Sequence, residues 1–250
     1  MPRLSQIYYY PIKGLPGLSL PAVAARRGER LPLDRHYAIG DDRTPFDPAA
    51  PAHIRKQQLV VQMSHAKLAE LRPDFDPTSH RLRLSHRNTL AVDAVLTREA
   101  GRRQVETFLT DFLAGTIRGR ARLISAPGLA FTDLSHKSVS IINLNSVRAL
   151  EQKLGYHIDP RRFRANLYID GVPAWQEESW LDKTLSIGGV PLTVYRVTDR
   201  CAAINVDPET AQRDKTLQGL KKQFGHLNMG VYATLEGDGE VHEGAAINGA

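Results

Sequence analysis

One cysteine, Cys201, stands in a chain of 250 residues. A lone thiol forms no internal disulfide, and without clustered histidines beside it, it builds no structural zinc site. Whatever this chain folds into is therefore held by an apolar core and hydrogen bonds. The length suffices for that, in one large domain or two modest ones. Three roles stay open for the thiol: a small buried hydrophobe, a reactive nucleophile, or one soft ligand for a metal that a cofactor brings. Taken alone, the inert buried role is the commonest.

The composition, 42% hydrophobic and 24% charged, is ordinary for a globular protein. Met1 to Tyr10 lacks the apolar run of a secretory signal, and no stretch approaches the roughly 20 apolar residues that span a bilayer. A cytoplasmic protein with no membrane partner is expected. The formal net charge of +6 and the pI near 9.5 suit an anionic ligand, whether nucleic acid, a phosphorylated cofactor or an acidic partner. No arginine-rich tail and no alternation of basic and aromatic residues is present, so nucleic acid is not expected. Walker A and Gly-x-Gly-x-x-Gly phosphate loops are absent too.

Short strands broken by turns dominate the pattern. Ser5 to Ile12 reads as a strand stopped by Gly14, Pro16 and Gly17. Leu18 to Ala24 and Arg35 to Ile39 read as two more, followed by a loop from Asp41 to Pro51. Leu59 to Met63 looks like a buried strand, with Ser64 capping a short helix through Leu71. Arg81 to Ser85 and Thr89 to Ala94 read as a strand pair. Val105, Phe108, Leu109, Phe112 and Leu113 then mark an amphipathic helix, with Thr97 as its cap and Gly115 as its stop.

Arg122 to Ser125 and Val139 to Ile142 are strands in this reading. The second feeds a helix capped at Asn143 or Asn145 and ended by Gly155. Asn166 to Ile169, Thr184 to Ile187 and Leu192 to Val197 are strands, and Lys215 to Phe224 a helix. Gly230 to Leu235 is expected to end the ordered core. The sum is a β-rich α+β fold, barrel-containing, with a few peripheral helices. The pattern divides into residues 1–95, a helical connection over 96–120, and residues 121–250.

Chemistry concentrates in a few places. Arg200 precedes Cys201, and a neighbouring guanidinium favours the thiolate. The turn Val206-Asp207-Pro208-Glu209-Thr210 follows, so the thiol lies just beyond a strand end, where sites gather. Arg161-Arg162-Phe163-Arg164-Ala165-Asn166 sets three guanidinium forks, suited to phosphate, beside an amide. Lys13 and Arg35 add isolated positive charge. A Cys–His hydrolase would need His36, His136 or His226 brought to Cys201 by the fold. Trp175 and Trp180 read as core or rim packing.

Order and spacing say more than any of these alone. Tyr9-Tyr10-Pro11-Ile12-Lys13-Gly14 and Asp34-Arg35-His36-Tyr37 resemble the N-terminal β-barrel segment of the MOSC family. Arg162-Phe163-Arg164-Ala165-Asn166, Glu177-Glu178-Ser179-Trp180, Ile187-Gly188 and Arg200-Cys201 through Asp207-Pro208-Glu209-Thr210 resemble its catalytic domain. The resemblance covers nearly the whole chain and implies an N-terminal β-barrel-like domain over 1–95 and a catalytic MOSC domain over 121–250.

It also implies a molybdenum cofactor, as molybdopterin or a nucleotide-extended form, with Cys201 as the thiolate ligand of the metal. Lys13, Arg35, Arg162 and Arg164 would neutralise the pterin phosphate, Asn166 and Arg200 would help seat the cofactor, and Asp133 would stand near the metal. The activity implied is an oxidoreductase acting on small N-hydroxylated substrates such as hydroxylamines, amidoximes or N-hydroxy bases. A ferredoxin-type cluster, which some relatives append, needs four thiolates. Electrons are therefore expected from a separate reductase or electron-transfer protein. The competing expectation is a sulfur or cofactor carrier with a persulfide on Cys201. Departures from the family pattern are Gly14 for a common serine, Ala165 for a usual proline, and Ala245 where relatives often have aspartate.

Overall fold

The computed structural model describes residues 1–249. In chain order come β1 (Arg3–Tyr9), β2 (Ile12–Lys13), β3 (Leu18–Leu20), β4 (Ala22–Ala25) and β5 (Tyr37–Gly40). A meander follows, β6 (Leu71–Asp76), β7 (Arg81–His86) and β8 (Thr89–Val95), then α1 (Glu99–Phe112) and β9 (Arg122–Ile124). The remainder is β10 (Val139–Asn143), α2 (Leu144–Leu154), β11 (Leu167–Asp170), β12 (Thr184–Ile187), β13 (Val190–Asp199), α3 (Thr216–Phe224), β14 (Asn228–Leu235), β15 (Gly239–His242) and β16 (Ile247–Asn248). None of the described helices is long and apolar enough to cross a membrane.

Eight strands form one sheet in the order β16-β12-β13-β14-β10-β11-β1-β3. The sheet curls on itself, because the start of β1 meets the segment before β16. Leu4 N–H donates to Ala245 O at 2.8 Å, Gly244 N–H donates to Leu4 O at 2.8 Å, and Arg3 bridges Ala246. Closure of this kind satisfies strand edges that would otherwise be open. Inside lie Leu4, Ile7, Ile141, Leu167, Leu192 and Val231, all buried. The β6–β7–β8 meander, α1 and the β2–β5–β9 sheet enclose a second core with Leu68, Leu71, Leu82, Val105 and Leu109. The β-rich reading with few helices therefore describes the molecule.

Local chemistry explains the helices. Asn143 caps α2, its side chain accepting from Asn145 N–H at 3.0 Å, and Gly155 ends the helix in the left-handed region at φ 75°. In α1 the buried residues Val105, Leu109 and Phe112 are those of the expected stripe. Its N-cap is Arg98 rather than Thr97, without a side-chain cap, and the helix ends at Phe112, before Gly115.

Three other expectations are corrected. Leu59 to Met63 is buried as expected through Gln62 but forms no strand: Val60 N–H reaches only Ile39 O, so the segment crosses the end of β5 instead of joining a ladder. Ser64 does not cap the next turn. It hydrogen-bonds back to Val61 O, and the turn is a 3-10 helix over Ala66–Glu70. Strand β6 is an addition, masked in the sequence by Pro73 and by Asp74 and Asp76, residues that strands disfavour.

The core also continues beyond Leu235. β15 pairs with β4, and Val241, Ala245 and Ile247 are buried in the main cluster. The gap between β14 and these strands is polar and Gly-containing, which conceals two short strands. A chain ending at Glu236 loses these side chains and the closure of the barrel. Such a truncation is expected to cost at least about 3 kcal/mol, from the burial of a Val and an Ile alone. Urea denaturation of the truncated and full chains measures it.

Candidate active site

A single cleft collects the eight residues that the family resemblance assigns to the site. Lys13 comes from β2, Arg35 from the turn before β5, and Asp133 from the loop between β9 and β10. Arg162, Arg164 and Asn166 come from the turn leading into β11, and Arg200 and Cys201 from the end of β13. A register shift between Val197 and Asp199 bends β13 just before Arg200. The Arg35 and Arg164 backbones are left-handed, at φ 54° and 51°, and both guanidinium groups lie over the Tyr10 ring, at 4.1 Å and 4.5 Å.

The basic side chains divide into two kinds. Arg162, only 5% exposed, is matched by carboxylates: Nη1 donates to Asp214 at 2.5 Å and Nη2 to Asp207 at 2.7 Å. Asp207 in turn accepts from the N–H groups of Glu209 and Thr210, each at 2.9 Å. The Arg162 charge thus orders the loop after Cys201 and is not surplus. Asn166 is committed too. Its Oδ1 accepts from Ser140 N–H at 3.1 Å, and its Nδ2 donates to Tyr8 O at 3.2 Å, tying β10, β11 and β1 together. Both residues line the cleft as walls.

Arg164 and Arg200 are the second kind. Neither has a carboxylate partner among the described residues. Arg164 Nη1 donates to Gln62 Oε1 at 3.2 Å, and burial lowers its pKa. Arg200 Nε donates to Met229 O at 2.7 Å and Nη1 to Phe163 O at 2.8 Å. Its Nη2 is buried without any partner, as is Thr198 Oγ1, and both residues line the cleft. Buried donors left unpaired are costly, so these point to a ligand that accepts from them.

Room for Arg200 depends on Gly230, at φ 78°, where a Cβ would sit 2.3 Å from Ile141 O and 3.0 Å from Arg200 Nη2. Gly14 has a similar reason: at φ 101°, a Cβ there would meet Val60 O at 2.6 Å. The glycine that replaces the family serine is thus required by this chain's own packing. Ala245 likewise fills a core position, where an aspartate would be buried in apolar surroundings.

At the rim, Asp133 sits between two ammonium groups. Lys13 Nζ donates to Oδ1 at 2.5 Å and Lys56 Nζ to Oδ2 at 3.1 Å. Burial alone would raise the Asp133 pKa, but the two lysines overcome it and hold the carboxyl well below its usual range. Burial lowers the pKa of Lys13, with Asp133 opposing. Lys56 is raised: burial opposes, while Asp133 and the Cys201 thiol both favour its charged form. Lys56 went unnoticed in the sequence because it falls between the Asp41–Pro51 loop and the Leu59–Met63 segment, in a stretch that carries no pattern. Asp34, also missed, fixes Arg35 and accepts from Tyr10 N–H at 2.8 Å.

The histidines weighed as partners for Cys201 do not line this cleft. His136 bonds Thr234, and His226 packs on Trp175. Among the described residues no three His, Cys, Asp or Glu side chains gather into a metal-binding group. Trp180 is buried in the core and Trp175 packs against Phe224.

Comparison with known proteins agrees with this architecture. The model of the MOSC N-terminal beta barrel domain matches residues 1–121, and that of the MOSC domain matches residues 120–248. The chain belongs to the MOSC family. It is similar to a molybdenum cofactor sulfurase of Drosophila erecta, 28% identical over 254 residues, covering 93% of this chain and 32% of the fly protein. It is also similar to mitochondrial amidoxime-reducing component 1 of Homo sapiens, 29% identical over 132 residues, 48% of this chain and 38% of the human protein. The matches thus span about a third of the length of these curated relatives. The YuaD protein from Bacillus subtilis superposes with a TM-score of 0.48 at 14% identity, over 99% of this chain and 94% of that one.

The two kinds of arginine are separable by experiment. Arg162→Met leaves Asp207 and Asp214 facing each other without their cation, and is expected to cost about 2 kcal/mol of stability. Arg164→Met removes a buried charge that no carboxylate balances, and is expected not to lower the stability of the ligand-free protein. Denaturation of both variants by guanidinium, monitored by tryptophan fluorescence, measures the difference.

Proposed function

We propose that this chain is a molybdenum cofactor-dependent oxidoreductase that reduces N-hydroxylated compounds, with electrons from a separate donor protein. The observation that carries the reading is the coincidence, in one cleft, of the sole thiol with the unpartnered Arg200 Nη2 and Thr198 Oγ1. That donor set fits the group. A soft thiolate suits a metal already held by dithiolene sulfurs, and unmatched guanidinium groups suit a phosphate. Similarity to the amidoxime-reducing component supports the choice of N-hydroxylated substrates.

In this reading Cys201 is the protein ligand of the metal. Arg164, Arg200, Arg35 and Lys13 hold the anionic part of the cofactor, and Arg200 and Thr198 gain the acceptors they lack. Arg162 and Asn166 fix the walls that carry these groups. Tyr10 lies against both guanidinium groups, of which Arg35 is held by Asp34 and Arg164 has no carboxylate partner among the described residues. Asp133, ionised between Lys13 and Lys56, acts at the rim as a fixed acceptor that orients an incoming N–H or O–H group. When bound, the cofactor supplies the two-electron chemistry that removes oxygen from an N–O bond.

The protein purified from a host that makes the cofactor is expected to contain about one molybdenum and one pterin per chain, by elemental and fluorescence analysis. It is expected to reduce benzamidoxime with a chemical electron donor. Cys201→Ala is expected to abolish the reduction and lose most of the molybdenum while keeping its fold. A one-sulfur adduct on Cys201 by mass spectrometry, in protein free of molybdenum, would replace this reading by that of a sulfur carrier.

A further inference from the structure

The cleft carries a charged group that no part of cofactor binding requires. Lys56 stands at the rim, its side chain 26% exposed, whereas Lys13 behind it is 9% exposed. An ammonium group has three donors. Asp133 takes one Lys56 donor at 3.1 Å, and Lys56 lines the same cleft as the Cys201 thiol. Its other donors meet no second carboxylate among the described residues. Asp133 does not cancel this charge, because it is shared with Lys13, which holds its other oxygen at 2.5 Å. The Lys13–Asp133–Lys56 bridge has one surplus positive charge in the cleft that holds Cys201.

We infer that Lys56 is a specificity-determining residue that favours substrates bearing a carboxylate or similar anionic group beside the reacting N–O centre. The inference rests on the N-hydroxylated-substrate reading above and adds the charge class of the substrate. The neighbouring cations are committed elsewhere. Arg200 is buried, Arg164 lies over the Tyr10 ring and donates to Gln62, and Arg35 is paired with Asp34. Asp199, the other carboxylate lining the cleft at the surface, has no ion-pair partner among the described residues and opposes an anion. The selection is therefore a contest of two charges that line the cleft, Lys56 and Asp199.

The test uses two probes, benzamidoxime and its 4-carboxy derivative, bound to the purified holoprotein without an electron donor and followed by calorimetry. The carboxylated probe is expected to bind about fivefold more tightly, the scale of a partly exposed ion pair, and the preference should shrink in high salt. In Lys56→Gln the two affinities should become equal, and in Lys56→Glu the neutral probe should bind better. Asp199→Asn should keep or enlarge the wild-type preference. Equal affinities in the wild type, or a preference that survives in Lys56→Glu, would overturn the inference.

Reduction assays on the same samples separate the two readings. Charge preference in binding without reduction of either probe overturns the proposed reaction and leaves the role of Lys56 standing. Reduction of both probes with equal affinity overturns the role of Lys56 and leaves the reaction standing. Thermal unfolding of each variant verifies that the fold is intact.

Discussion

The buried guanidinium of Arg162 is the contact on which the site depends. It sits in the turn entering β11 and grips two carboxylates, Asp207 and Asp214, from the far side of the loop that begins at Cys201. That loop has little regular structure of its own: one 3-10 turn over Ala202–Asn205 and a single bridge between Val206 and Arg213. Its other anchors are weaker or more exposed. Glu209 spans Arg72 and Arg161 near the surface, and Arg213 donates to the carbonyls of Gln62 and Met63. Without the central cation Asp207 and Asp214 would lose their shared partner, and the loop that leaves Cys201 would lose its buried ion pairs.

The barrel makes that grip possible. β11 runs parallel to β10 and antiparallel to β1, so the Arg162–Asn166 turn is held at one end of the sheet by three strands at once. β13 and β14 are the most extensively paired neighbours, and β13 ends at Asp199, directly before Arg200-Cys201. Arg200 then returns two bonds, to Met229 O on β14 and Phe163 O in the β11 turn. Two turns distant in sequence are thereby fixed against each other by main-chain acceptors. Neutral carbonyl partners leave the positive charge available, which carboxylate partners would not.

How much of this was legible in the sequence follows from the kind of signal involved. Helices α1, α2 and α3 and most strands obey local periodicity, and Asn143 and Gly155 are local caps, so they were readable. The sequence also held all eight proposed cleft residues, through their order along the chain. Lys56 was not readable, because nothing local distinguishes it from a surface charge; only the crossing of the 54–65 segment over β5 brings Lys56 into the cleft, and Asp34 was visible only as part of the Arg35 motif, without its role. The commitment of Arg162 to Asp207 and Asp214 was equally hidden. Three neighbouring arginines look alike in sequence, yet Arg161 lies on Asp159 and Glu209, Arg162 is neutralised, and Arg164 lies over Tyr10 without a carboxylate partner among the described residues.

This distribution of charge by depth is what turns a lone cysteine into part of a site. Deep in the cleft, cations are held by carbonyls and an aromatic ring, at a cost in desolvation that a folded protein recovers only when an anion arrives. At the rim, Lys56 is held by a carboxylate and remains partly hydrated, so it costs little and discriminates weakly. The inner set is therefore suited to a permanently bound, multiply charged group and the outer set to a ligand that comes and goes. Cys201 lies at the boundary between them, where a tightly held cofactor and an exchanging substrate would have to meet.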